Sequence, residues 1–283
     1  MFYPLEIAVF IVLFFGLAII QSVSASALRS LFHLSGDVVS YVLLILYSTV
    51  VISIGITAYA IFVQKRPLSG LGFSRKRVNP GQDYGKGLFI GFLMMTAAVI
   101  IEMAFGFVHF TGFGGMEALP RVLLFLFGFM LQGLEEELEC RGFFLVSIAR
   151  RYPVLAGILT NALFFGLMHM GNKGATPVSV INTCLSGLMY SVIFLKQDSI
   201  WMAAGVHTAW NFTQSCIYGH STSGLGQLPS LIKMEVPTGN SWITGGSYGV
   251  EASFINTLIR IAVILYFICR KEKSAPADTS PVI

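Results

Sequence analysis

The chain has 283 residues, of which 55% are apolar and 11% charged, and its formal net charge is +4. That balance excludes a disordered polar chain, a collagen-like rod and a charged nucleic-acid binder, each of which needs polar or periodic sequence. Its longest polar stretches, roughly 25 to 30 residues, are too short to build an independent soluble core. The chain therefore reads as an integral membrane protein with the lipid bilayer as its solvent.

Four cysteines, Cys140, Cys184, Cys216 and Cys269, lie in apolar runs without C-x-x-C spacing. They read as reduced packing residues, since neither a disulfide framework nor a thiolate zinc site is indicated. A membrane span needs about 20 predominantly apolar residues. Eight segments qualify, at 5–23, 39–63, 87–109, 121–148, 153–169, 176–195, 200–219 and 252–269. The first precedes the small-residue stretch Ser22 to Ala27, as a signal peptide would, but its short lead carries Glu6 and no Lys or Arg, so an uncleaved span is favoured.

The expected fold is thus all-α, a polytopic bundle of eight transmembrane helices around an intramembrane polar cavity. It forms one domain over 1–273, followed by a short disordered tail over 274–283. Lys and Arg gather on one side of this arrangement. Lys65, Arg66, Arg75, Lys76, Arg77, Lys86, Arg150, Arg151, Lys196, Arg270, Lys271 and Lys273 fall on the N-terminal side, against Arg29, Arg121, Lys173 and Lys233 on the other. The bias predicts that both termini are cytoplasmic. The basic run Lys65 to Lys86 reads as a topology determinant and not as a nucleic-acid patch.

The fourth span carries Glu135, Glu136, Glu137 and Glu139, with Arg141 close behind. A charged residue at the centre of a lipid-facing helix costs about 2.5 to 3.5 kcal/mol, whereas a Leu or Phe returns only about 0.3 to 0.6 kcal/mol. These groups must therefore face protein or water, and such a cluster marks a functional site. At 100° per residue Glu137 and Arg141 lie one turn apart and suit an ion pair, while Glu135, Glu136 and Glu139 share a separate acidic sector.

His169 in the fifth span and His207 in the seventh add to the set, with Asn211 one turn after His207. A glutamate beside a neutral imidazole can deprotonate water for attack on a carbonyl, and a histidine with an asparagine can stabilise the oxyanion that results. Glu136, His169 and His207 also form the two-histidine, one-carboxylate set that zinc uses, although H-E-x-x-H is missing. Glu102 in the third span either lines the cavity or partners a nearby polar side chain, and Arg260 in the last span is expected to snorkel or to pair structurally.

The ordered set Glu136-Glu137-x-x-x-Arg141, Phe165-x-x-x-His169 and His207-x-x-x-Asn211 resembles the CAAX-protease and bacteriocin-processing family of intramembrane endopeptidases, which includes the Ras-converting endopeptidase. The resemblance is strong over roughly 120–215, with Glu139 and Cys140 departing from the apolar or aromatic residues usual there. It implies that Glu136 is the water-activating base, with His169, Glu137 and Arg141 in support and His207 and Asn211 as oxyanion donors. It implies a membrane-embedded or lipidated, CAAX-like peptide substrate cut near the cytoplasmic side, and the short loops resemble those of a member from a bacterial cytoplasmic membrane. Within that family both zinc and metal-independent glutamate mechanisms have been described, and the residues favour the second. Two other classes remain open: a non-catalytic scaffold or bacteriocin-immunity protein of the same fold, and a proton-coupled transporter with Glu102, Glu136 and His169 as a relay.

Overall fold

The computed structural model describes residues 3–31, 33, 37–73, 79–236 and 241–270. The expected tail lies outside the described residues, as do Arg75, Lys76, Arg77, Lys271 and Lys273. The main helices are α1 (Tyr3–Leu31), α2 (Val39–Val63), α3 (Pro80–Ala104), α4 (Met116–Ala149), α5 (Val154–Met168), α6 (Pro177–Gln197), α7 (Trp201–Phe212) and α8 (Phe254–Cys269). Every expected segment thus holds helix. Among the described residues five of these helices, α1 to α4 and α6, are long and apolar enough to cross a membrane, while α5 and α8 are apolar but shorter. α7 belongs to neither group and is buried from Met202 to Asn211, because α3, α4 and α6 pack around it and leave it no face for lipid.

Local chemistry sets the helix ends. Asn79 caps α3 by accepting the amide of Gln82 at 3.2 Å, with Pro80 in the first turn, where its missing N–H is harmless. Thr176 and Ser179 form a reciprocal capping box at the start of α6, and Ser253 caps α8. The third expected span ends earlier than its hydropathy predicts. Gly106 takes a left-handed φ of 73°, which stops α3, and His109–Phe113 becomes a strand, β1, paired antiparallel with β2 (Ile232–Glu235).

α7 is held close to α3 by small residues. A Cβ on Gly87 would come within 2.3 Å of the Met202 carbonyl oxygen, and one on Gly91 within 2.4 Å of that of Val206. The spacing Gly87-x-x-x-Gly91 lets the two backbones approach, as small residues do between membrane helices. This contact fixes the depth and rotation of α7, and with them the position of His207.

The connector after α7 is packed against the bundle. The His220 amide donates to the Gln214 carbonyl at 2.9 Å, the Ser215 and Thr222 hydroxyls meet at 2.5 Å, and Leu231 N donates to the Cys216 carbonyl at 2.9 Å. Burial pushes the pKa of the His220 imidazole down to about 4 from 6.5. The unfolded connector therefore binds the proton first. His220 contributes stability that is full above pH 6.5 and is lost as the pH falls toward 4, a loss on the order of 3 kcal/mol. Hydrogen exchange in 218–232 is expected to accelerate through that window and to lose this pH dependence in His220→Phe. An unchanged profile in the variant would refute the assignment.

Candidate functional site

α4 departs from ideal winding where the glutamates sit. It is α-helical to Glu137 and then takes π-type turns from Leu138 to Leu145. Such bulges are rare and concentrate at functional sites. The 100° spacing expected through Arg141 thus holds only in part. Glu137 and Arg141 still pair, with Arg141 Nη1 donating to Glu137 Oε1 at 3.0 Å and both side chains fully buried. The acidic sector divides: Glu136 lines a cavity of about 290 Å³, whereas Glu135 and Glu139 are buried beside it, do not line it, and hydrogen-bond to one another.

The cavity gathers the expected polar residues of α4, α5 and α7 on one wall. Glu136, His169, His207 and Asn211 line it together with Phe165. Glu136 Oε1 accepts from Gln132 Nε2 at 2.9 Å, and Gln132 Oε1 accepts from Asn211 Nδ2 at 3.1 Å, so one glutamine ties the carboxylate to the asparagine. Glu136 Oε2 has no hydrogen-bond partner among the described residues and stands 3.8 Å from His207 Nε2. The other His207 nitrogen, Nδ1, donates to Glu137 Oε1 at 2.9 Å. Glu136 and Glu137 therefore flank a single imidazole, and Arg141 reaches it only through Glu137.

Aromatic rings hold this arrangement. Tyr190 stacks on His207 with centroids 4.8 Å apart and planes 13° from parallel. The Arg141 guanidinium lies over the rings of Phe165, at 4.5 Å, and Tyr190, at 5.1 Å, which offsets part of its desolvation. Arg141 Nη2 also donates to the Gly187 carbonyl at 3.3 Å. On α5, His169 Nδ1 donates to the Phe165 carbonyl at 2.8 Å, which leaves the Nε2 lone pair as an acceptor in the neutral ring.

Glu102 does not join them. It is fully buried near Ser253 and does not line the cavity, so the relay of Glu102, Glu136 and His169 required by the transporter reading is not assembled. Among the described residues no group of three His, Cys, Asp or Glu side chains is gathered closely enough to hold a metal ion.

Three contributors, Gln132, Tyr190 and Glu251, went unrecognised in the sequence, while Arg260 takes the structural pairing expected as one of its two roles. Gln132 lies one turn before Glu136, which was a readable signal; Tyr190 carried none. Arg260 does not snorkel: it is 2% exposed and lines the cavity, while Glu251 enters from the connector just before α8. Lys173, Thr222 to Leu225 and Glu251 also border the cavity.

Apolar helices thus enclose a polar cavity that holds a glutamate and two histidines. Residues 117–213 match the family model described as Rce1-like, Type II CAAX prenyl endopeptidase Rce1-like. The match covers α4 to α7 and all three motifs, and over that stretch the chain is similar to type II CAAX prenyl endopeptidases. Nothing matches among curated proteins or solved structures.

Proposed function

We propose that the chain is an intramembrane endopeptidase that hydrolyses a peptide bond of a membrane-associated or prenylated substrate by a glutamate-activated water. The observation that carries this reading is the convergence of Glu136, His169, His207 and Asn211 on one cavity. In this reading a water donates one hydrogen to Glu136 Oε2 and the other to His169 Nε2, both free acceptors among the described residues, and presents a lone pair to a carbonyl carbon. Glu136 takes the proton as the bond to carbon forms and returns it to the leaving amine. The second Asn211 amide hydrogen, and His207 Nε2 when it carries a proton, supply donors to the developing oxyanion.

Glu137 and Arg141 act behind this layer. Glu137 holds the His207 Nδ1–H and so sets the ring's orientation, and Arg141 fixes Glu137. The eight helices form one such unit in this reading, with α5, α7 and α8 reaching only part of the bilayer depth.

The test is turnover of a C-terminally prenylated peptide by the purified protein, with and without a strong chelator, beside Glu136→Ala and His169→Ala. Chelator-insensitive cleavage abolished in both variants is expected. Undiminished cleavage in the variants would refute the mechanism, and loss on chelation would replace it with a metal-dependent one.

A further inference from the structure

The cavity has a second polar end that the hydrolytic mechanism does not use. Arg260 of α8 is buried there, its guanidinium 4.4 Å from the Trp210 ring. Arg260 Nε donates to Ser186 Oγ at 2.7 Å and Nη1 to the Glu251 backbone carbonyl at 2.9 Å. Nη2 has no hydrogen-bond partner among the described residues, and the guanidinium forms no ion pair with any described carboxylate.

The nearest candidate counter-ion is otherwise engaged. The Glu251 carboxylate accepts from the Ser223 amide, from Ser223 Oγ at 2.8 Å and from Trp210 Nε1 at 3.2 Å. A guanidinium withdrawn from water, aimed by two hydrogen bonds and facing a cavity with one nitrogen free is arranged for an anion of planar, two-oxygen geometry. Lys173 at the cavity rim adds a further positive charge.

We propose that Arg260 forms a carboxylate-binding subsite of the cavity, with Ser186 and the Glu251 carbonyl aiming the guanidinium at a carboxylate of the bound peptide. This rests on the peptidase reading for the identity of the ligand as a peptide. The group bound is the α-carboxylate at a chain end or the side chain of Asp or Glu. Trp210, against whose ring the guanidinium packs, follows His207 by three residues on α7, and Arg260 lines the same cavity as Glu136 and His207. The subsite would thus select peptides that carry a negative charge close to the bond attacked.

The test measures binding of three short probes to the full-length protein in detergent by calorimetry: acetyl-Leu-Leu-Leu with a free carboxylate, the same peptide as its C-terminal amide, and acetyl-Leu-Asp-Leu amide. The free acid is expected to bind at least about tenfold tighter than its amide, a preference removed in Arg260→Gln, reduced in Ser186→Ala and partly kept in Arg260→Lys. If the Asp-containing amide recovers the affinity, the carboxylate comes from a side chain; if it does not, from the chain end. Equal binding of acid and amide, or a preference that survives Arg260→Gln, overturns the subsite. Should Arg260→Gln not fold, as judged by its unfolding temperature, the comparison on the unaltered protein and on Ser186→Ala decides. A preference without any hydrolysis would leave the subsite standing and remove the peptidase reading, and hydrolysis without preference would do the reverse.

Discussion

Glu136→Gln is expected to lower kcat by a factor of about 10² to 10⁴, the usual worth of a positioned general base, with KM changed by no more than a few-fold. The substitution is nearly isosteric, and the amide oxygen can still accept the hydrogen bond from Gln132. What disappears is the basic oxygen beside His207, so the loss belongs to the transition state and not to substrate binding. Glu139→Gln is the informative partner. Glu139 is as deeply placed as its neighbours but sits off the cavity against Glu135, and the amide keeps a hydrogen bond available to that carboxyl group. Its kcat should remain within about tenfold of the unaltered protein. Steady-state cleavage of one peptide by both variants distinguishes the two carboxylates, and an equal loss in both would reject Glu136 as the base.

The contrast between these residues also shows which parts of the site could be read from sequence. Charge in an apolar run is a strong signal because lipid penalises it so heavily, and it located Glu135 to Arg141, His169 and His207 without coordinates. The one-turn spacings survived: Glu137 with Arg141, and Phe165 with His169, are in contact. The division of labour among the glutamates did not, because it depends on the π turns that begin at Leu138, and winding of that kind leaves no trace in hydropathy.

Hydropathy likewise does not separate a crossing helix from a buried one. An apolar run of about 20 residues is equally compatible with lipid exposure and with burial among other helices, and α7 took the second course because Gly87, Gly91 and Gly205 admit it so closely to α3. The long connector after α7 was opaque for a related reason. Its Gly- and Ser-rich sequence specifies no periodicity, yet its contacts with Gln214, Ser215 and Glu251 are specific. Arg260 could have been treated by the same electrostatic argument as the glutamates; its two expected roles, snorkelling and structural pairing, do not by themselves place it at the cavity.

Arg141→Met is expected to destabilise the folded protein by about 3 to 5 kcal/mol, the cost of leaving one member of a buried pair without the other. The guanidinium is the only cation that the described residues place on Glu137 besides His207, and its removal also forfeits its contacts with Phe165 and Tyr190. Adding Glu137→Gln removes the orphaned charge. The double variant should therefore recover much of the stability, since an uncharged, well-packed pair of similar volume is often as stable as the ion pair it replaces. Activity should not follow. The introduced amide offers His207 Nδ1–H a neutral acceptor in place of a carboxylate, which weakens the hydrogen bond that orients the imidazole and the charge that stabilises it when protonated. Reversible denaturant unfolding in detergent, measured beside kcat for the two single variants and the double, separates these effects. Stability restored without turnover places the Glu137 and Arg141 pair in the orientation of His207. Turnover restored together with stability would mean that the pair serves the fold alone, and an Arg141→Met protein as stable as the unaltered one would show that the pair contributes nothing to it.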